Sequence, residues 1–132
     1  MTSLLVSIVI YNKKISDLTI LKKISEENTD IFIYNNSKLP QEVPTFENVT
    51  IYYEHDKNNS GVSRAYNQSY IKAKELKKEL LLVLNQDSSF ESSFIEQYKK
   101  MYKEYKNDDI YAPIVYDEKK QRYIQLLFFK TL

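Results

Sequence analysis

Continuous apolar runs alternate with amphipathic stretches along this chain of 132 residues. The runs at 4–10 and 80–84 are apolar at almost every position, which is typical of strands buried on both faces of a sheet. Shorter apolar runs bounded by turn residues predict further strands. The six predicted strands cover residues 4–10, 30–34, 49–53, 80–84, 110–115 and 123–129.

Three other stretches have the period of an amphipathic helix. Ser16 is predicted to cap the first, in which Leu18, Leu21 and Ile24 share a face. The second and third cover about residues 62–78 and 92–105. The resulting order, β-α-β-β-α-β-α-β-β, predicts an α/β sheet with helices on its faces and fits one domain over residues 1–132.

Short polar residues follow three of the predicted strands. The three segments are Tyr11-Asn12, Asn35-Asn36-Ser37 and Asn85-Gln86-Asp87. Ligands of open α/β sheets bind beyond the carboxyl ends of the strands. Turns alone also favour Asn and Ser, so the coincidence favours a binding site at this edge by a small margin.

Asp87 is the strongest single candidate for chemistry. It follows a rigid apolar strand, and Mg²⁺ or Mn²⁺ is often bound through one or two carboxylates together with phosphate oxygens of a substrate. The alternative is a turn or helix-capping Asp that leads into Ser88, and the segment alone does not decide between the two.

The only glycine of the chain, Gly61, precedes the second predicted helix. The start of a helix favours anions because its N–H groups and its dipole point outward. Arg64 and Asn67 are three residues apart and share a face of this helix. An Arg here could clamp a diphosphate, and the alternative is an ordinary capped helix with a solvated Arg.

Composition excludes several kinds of site. The absence of Cys excludes disulfides, thiolate metal sites and Cys nucleophiles, and the single His excludes a multi-His metal site. That residue, His55, is predicted to be an exposed turn residue without a catalytic role. One glycine is too few for a Gly-rich phosphate loop, and a net charge of +1 argues against binding to duplex DNA.

Hydropathy predicts a cytoplasmic protein. No apolar run is long enough to cross a membrane, and the first run lacks the flanks of a signal peptide. The absence of Cys fits a reducing compartment.

Together these segments resemble the nucleotide-binding half of the family 2 glycosyltransferases, which are inverting enzymes of the GT-A fold, and the rhamnosyltransferase-like members most of all. The resemblance covers about residues 4–117. It rests on four motifs in the family's order: an apolar strand ending in Tyr11-Asn12, a second strand ending in Asn35-Asn36-Ser37, the Asn59-Ser60-Gly61 turn with Ala65-Tyr66-Asn67 on the helix behind it, and a fourth strand ending in Asn85-Gln86-Asp87-Ser88.

The resemblance implies a three-layer, Rossmann-like mixed sheet and a nucleoside-diphosphate sugar as donor. The acceptor would be a glycan or lipid-linked saccharide of cell-surface polysaccharide synthesis, at the inner face of the membrane. The residues implied in donor binding are Tyr11 and Asn12 beside the nucleobase, Asn35 at the base edge, Gly61, Arg64 and Asn67 on the base and ribose side, and Asn85 by the ribose. Asp87 would hold Mn²⁺ or Mg²⁺.

The chain departs from the family pattern in three ways. Asn35 and Asn85 stand where the family usually has Asp, so a single carboxylate is left at the fourth strand end. The family's catalytic base and acceptor-binding half lie downstream of the matched region, and no base is assigned. The apolar segment 123–129 lies close to Leu132, which predicts a chain truncated at its carboxyl end, with an exposed strand that pairs in a homodimer.

Two alternatives to an enzyme remain. The same fold could be a non-catalytic module that binds nucleotide sugars or a partner, which the loss of Asp at positions 35 and 85 favours. A phosphoacceptor receiver domain ranks lower, because that fold needs an acidic pair after its first strand, where this chain has Tyr11 and Asn12.

Overall fold

The computed structural model describes residues 2–91 and 93–105, residue 119, and the backbone of short strands between residues 110 and 130. The strands are β1 (Leu4–Ile10), β2 (Asp30–Asn35), β3 (Ile51–His55), β4 (Leu80–Asn85), β5 (Ile110–Tyr111), β6 (Ile114–Asp117), β7 (Arg122–Gln125) and β8 (Phe128–Lys130). The helices are α1 (Ile20–Glu26), α2 (Val62–Glu75) and α3 (Phe94–Glu104), with a single 3-10 turn at Ile15–Asp17.

Six of these strands form one mixed sheet in the order β3-β2-β1-β4-β8-β5. The first four are parallel, and β8 runs antiparallel to both of its neighbours. The strands β6 and β7 pair separately as an antiparallel hairpin. The predicted α/β fold with a mixed, Rossmann-like sheet is confirmed.

Two apolar cores lie on opposite faces of the sheet. Because side chains alternate along a strand, Val6, Ile8 and Ile10 of β1 face the core built with α1 and α3. Leu5 faces the other core, where α2 packs with Phe32 and Tyr34 of β2. Burial on both faces explains why β1 reads as a continuous apolar run.

A buried pair of hydroxyls joins β1 to α2. Ser7 and Ser69 are both fully buried, and their Oγ atoms lie 2.5 Å apart. Ser69 also donates to the carbonyl of Ala65. Because Ser69 gives its hydroxyl hydrogen to Ala65, the hydroxyl of Ser7 donates to Oγ of Ser69, and both hydroxyl hydrogens are satisfied between the helix and the sheet.

Several predicted boundaries were wrong. Ser16 does not cap α1, because it lies inside the 3-10 turn and α1 begins at Ile20. The third strand begins two residues later than predicted and extends to His55. Each of the last two predicted strands corresponds to two short strands, with residues 112–113 and 126–127 outside the described part of the chain.

No helix in the described part of the chain is long and apolar enough to cross a membrane.

Candidate functional site

The carboxyl ends of the four parallel strands meet at one edge of the sheet. The register pairs Ile10 with Asn35, Val9 with Asn85, and Asn35 with His55. The three polar segments predicted from the sequence therefore lie side by side, joined by the end of β3. The strand order reverses between β1 and β4, which is where open α/β sheets bind ligands.

The end of β1 is tied to both of its neighbours. The N–H of Tyr11 donates to Oε1 of Gln86 over 2.9 Å, and the N–H of Asn12 donates to Oγ of Ser37 over 2.8 Å. Asn12 has a φ of 51°, a left-handed conformation that Asn adopts more readily than most residues. Tyr11 is 53% exposed, at the point where the strand order reverses.

Asn35 is fully buried, and its amide already has partners within the protein. Its Nδ2 donates to the carbonyl of Leu39 and to the hydroxyl of Tyr53, each over 3.0 Å. Its Oδ1 accepts from the N–H of Ser37 over 2.8 Å. Both amide hydrogens are thus used to shape the loop after β2, so in this conformation Asn35 has no hydrogen left to donate to a ligand.

Gln41 connects this network to the loop after β1. Its Oε1 accepts from the N–H of Ile15 and its Nε2 donates to the carbonyl of Lys13, both over 2.8 Å. Its own N–H donates to the hydroxyl of Tyr53 over 2.9 Å. The loops after β1 and β2 are therefore held together by one side chain.

Asn36, the residue after β2, is buried as well and is 4% exposed. Its Oδ1 accepts no hydrogen bond from any residue in the described part of the chain. Its N–H donates to the carbonyl of Ile10 over 2.9 Å, which places Asn36 beside Tyr11 at the end of β1.

His55 is half-buried at the end of β3 and not an exposed turn residue as predicted. Its Nε2–H donates to the carbonyl of Ser37 over 2.8 Å. Since a carbonyl can only accept, this contact holds the proton on Nε2. The imidazole therefore supports the loop after β2.

Asp56 organises the turn that leads into α2. Its carboxylate accepts from the N–H groups of Asn58 and Ser60 and from the hydroxyl of Tyr34, over 3.0 to 3.2 Å. It also lies 4.0 Å from Nε of Arg64. The hydrogen bond from the backbone of Ser60 is the main cause of the lowered pKa of Asp56, and burial raises the pKa of Tyr34.

Removing the charge of Asp56 is expected to destabilise the protein in a pH-dependent way. A carboxyl group whose pKa is lowered by folding contributes stability above its ordinary pKa, and that contribution is lost as the pH falls through the lowered value. Asp56→Asn is therefore expected to melt below the wild type at pH 7, with a difference that closes as the pH falls below about 4. Thermal melting between pH 2.5 and 7 measures this, and a difference that stays constant with pH would contradict it.

The first turn of α2 contains no acidic residue, and the nearest carboxylate described there is that of Asp56 in the preceding turn. Gly61 is the N-cap residue of α2, with φ 103° and ψ 167°. Arg64 has a side chain that is 57% exposed, and Asn67 is exposed one turn later. The N–H groups of the first turn, the helix dipole and the guanidinium of Arg64 favour an anion at this end of α2, whereas the carboxylate of Asp56, 4.0 Å from Nε of Arg64, opposes one.

Asp87 lies in a turn directly after β4. The N–H of Ser88 donates to the carbonyl of Asn85 over 3.0 Å, which closes the turn with Gln86 and Asp87 at its tip. Asp87 is exposed, and its carboxylate has no partner within residues 2–91 and 93–105. It does not cap α3, which begins at Phe94.

The residues described in the structure contain no group of three His, Cys, Asp or Glu side chains that could hold a metal ion. A divalent ion at Asp87 would therefore need oxygen atoms from a ligand to complete its coordination. Mg²⁺ is commonly bound in this way, through one carboxylate and substrate phosphates, so a free, exposed carboxylate at the strand end fits such an ion.

The strand-end residues were predicted from the sequence, whereas their supporting partners were not. Asp56 gives no signal of its own, because a polar run such as residues 55–61 is typical of any turn. Gln41 gave no signal at all, because it lies in an irregular loop between Pro40 and Pro44. The hydroxyl of Tyr53 joins Asn35 and Gln41, a contact that no periodic pattern encodes.

Comparison with known proteins supports the fold. No protein-family model matches the chain, and no curated protein matches it by sequence. Among solved structures, the chain is similar to residues 1–349 of TarS, a glycosyltransferase of S. aureus, with a TM-score of 0.56 and 14% sequence identity. The match covers 83% of this chain and 34% of the TarS chain. The protein thus has a glycosyltransferase-like α/β fold and spans about one third of the length of that neighbour.

Proposed function

We propose that the protein binds a nucleoside-diphosphate sugar at the carboxyl edge of its sheet and forms the donor-binding part of a glycosyltransferase. The observation that carries the proposal is the meeting of polar strand ends where the strand order reverses, in a glycosyltransferase-like fold. The motif resemblance to family 2 enzymes, and to their rhamnosyltransferase-like members, supports the same reading.

The nucleoside half of the donor would lie over the ends of β1 and β2. Tyr11 is exposed, and its ring would stack on the base, with Asn12 next to it. Asn35 would support this surface through its contacts with Leu39 and Tyr53.

The diphosphate would lie between the end of β4 and the start of α2. Gly61 leaves the first N–H groups of α2 free, and Arg64 and Asn67 add polar contacts along the same face. Asn85 would approach the ribose.

Asp87 would hold Mn²⁺ or Mg²⁺, whose charge, when the ion is bound, stabilises the departing nucleoside diphosphate. The hydroxyl of an acceptor glycan or lipid-linked saccharide would attack the anomeric carbon from the opposite side. A bond then forms between that oxygen and the carbon as the bond to the diphosphate breaks. The hydroxyl proton would pass to a carboxylate base, which the described residues do not identify.

By the same resemblance, we propose a role in cell-surface polysaccharide synthesis, in the cytoplasm or at the inner face of the membrane. Segment 123–129 was predicted to be an exposed strand, but β8 pairs with β4 and β5, and β7 pairs with β6. The pairing of two copies that we propose would therefore use the edge strand β5, and light scattering at high concentration tests it. A strictly monomeric protein would contradict this pairing and would leave the proposed donor site unaffected.

A second candidate is a non-catalytic module that keeps the nucleotide-sugar site. Asn35 and Asn85 favour it, because each stands in place of a charged residue of the family, and only Asp87 remains as an acid at the end of β4. A module of this kind would bind the donor but would neither transfer nor hydrolyse its sugar.

Thermal melting with a panel of nucleoside diphosphates and their sugar conjugates tests the proposal. With a ligand at 100 times its dissociation constant, we expect a stabilisation of about 2.7 kcal/mol for the preferred base. The stabilisation should be larger with Mn²⁺ present. If no nucleotide raises the melting temperature, with or without Mn²⁺, the proposed site is wrong. Binding without sugar transfer to any acceptor would favour the non-catalytic module.

A further inference from the structure

A cavity of about 300 Å³ lies at the edge of the sheet opposite the proposed donor site, where β1, β2 and β4 begin. Its wall is formed by the start of β1, the segment between α1 and β2, Lys78 before β4, and two residues of α3. Its volume is at the lower end of the range for small-molecule sites. None of the residues assigned to the donor site lies in this wall, so the cavity is a separate feature of the molecule.

Glu27 lies in the wall of this cavity, as the C-cap residue of α1. Both of its carboxylate oxygens are buried, and neither has a hydrogen-bond partner within residues 2–91 and 93–105. No other carboxylate in the described part of the chain is buried in this way without a partner. Such a group is unfavourable, because it has lost its contacts with water and has gained none within the protein.

The other charged side chains around the cavity are paired. Nζ of Lys78 lies 2.9 Å from Oδ2 of Asp30, and Nζ of Lys99 lies 3.5 Å from Oε1 of Glu96. These two pairs leave the carboxylate of Glu27 as the one uncompensated charge among the described residues that line the cavity. The end of α1 adds to this negative potential, because the carboxyl end of a helix dipole is negative. The cavity therefore favours a cation.

We propose that this cavity binds a small molecule through a primary ammonium group, which donates hydrogen bonds to the carboxylate of Glu27. An ammonium group supplies the two things that this carboxylate lacks, a positive charge and N–H donors. A divalent metal ion fits less well, because the described residues contain no group of three His, Cys, Asp or Glu side chains that could hold one. The side chain of a glutamate has three rotatable bonds, so the carboxylate would turn into the cavity without movement of α1.

Titration of the protein with methylammonium and with putrescine, followed by nuclear magnetic resonance of the backbone amides, tests this site. Saturable changes in chemical shift are expected at residues 28–30, which follow Glu27 in the wall of the cavity. Tetramethylammonium at the same ionic strength is the matched control ligand, because it has the same charge as methylammonium and no N–H donor. It should produce no saturable change at these residues.

Glu27→Gln and Glu26→Gln form a matched pair of variants. Each removes one negative charge at the end of α1, but Glu26 is exposed and is not in the wall of the cavity. Glu27→Gln is expected to weaken the binding of methylammonium at least tenfold, because a hydrogen bond between charged groups is lost. Without amine, its melting temperature should equal or exceed that of the wild type, because an uncompensated buried charge is gone. Glu26→Gln should bind amines as the wild type does.

Three results would overturn the inference. The first is the absence of a saturable change with either primary amine. The second is an equal loss of binding in both variants, because the general charge of the surface would then explain the binding. The third is a lower melting temperature of Glu27→Gln without amine, because the carboxylate would then be paired within the protein. None of these results bears on the donor site, which lies at the other edge of the sheet.

Discussion

Replacing Gly61 with alanine is expected to lower the free energy of unfolding by about 1–3 kcal/mol. Gly61 has φ 103° and ψ 167°, a region that residues with a Cβ atom hardly ever adopt. A Cβ atom added at this position would meet nothing within 4 Å, so no steric clash with a neighbour contributes. The whole effect would come from backbone conformation, and chemical denaturation measures it.

Two further variants make this expectation specific. Gly61→Asn should be as harmful as alanine, because Asn tolerates the left-handed region near ψ 47° and not the extended ψ of Gly61. Asn59 lies in the same turn and has φ 47°. Asn59→Gly should change the free energy of unfolding by no more than about 0.5 kcal/mol. If Gly61→Ala is as stable as the wild type, the turn before α2 does not have this conformation. The start of α2 would then no longer be part of the proposed site.

Replacing Asp87 with asparagine is expected to abolish the part of nucleotide binding that depends on metal. Asn keeps the size of the side chain and removes the charge that a hard divalent ion requires. Changes to residues that only support a metal ligand weaken binding by about 10- to 100-fold, so loss of the ligand itself should weaken it at least tenfold in Mn²⁺. In the absence of metal, wild type and variant should bind alike.

A matched control removes the same charge elsewhere. Glu104→Gln, at the exposed end of α3, lowers the negative charge by one without approaching the ends of β1 or β4. It should leave both the affinity and its dependence on Mn²⁺ unchanged in calorimetric titration. Equal metal dependence in the wild type and in Asp87→Asn would remove Asp87 from the site.

The parallel part of the fold follows closely from the sequence, because its signals are local. The predicted first strand has the observed bounds, and the fourth differs by one residue, since both are apolar runs ended by polar residues. The third strand was misplaced because Val49 pairs with Phe46 across a tight turn, which uses apolar residues outside the sheet. The start of α1 was misplaced because Ser16 has the residue type of a cap but lies within a 3-10 turn.

The candidate site was predictable in outline and not in detail. Chain order and the rule for open sheets bring Asn12, Asn35 and Asp87 to one edge. Whether a side chain there is free depends on partners distant in sequence. Asn35 is satisfied through Tyr53, which is 18 residues away, whereas Asn36 beside it is not satisfied. A resemblance in motif cannot distinguish these two states.

Amide hydrogen exchange, recorded with and without the preferred nucleoside diphosphate and Mn²⁺, tests most directly whether the carboxyl edge of the sheet is the donor site. Protection is expected in four separate segments that only this edge brings together, at residues 11–15, 36–41, 58–64 and 85–88. The opposite edge of the sheet, at the starts of β1, β2 and β4, should exchange as in the free protein. Protection of that opposite edge, or no change in any of the four segments under saturating ligand, would contradict the account.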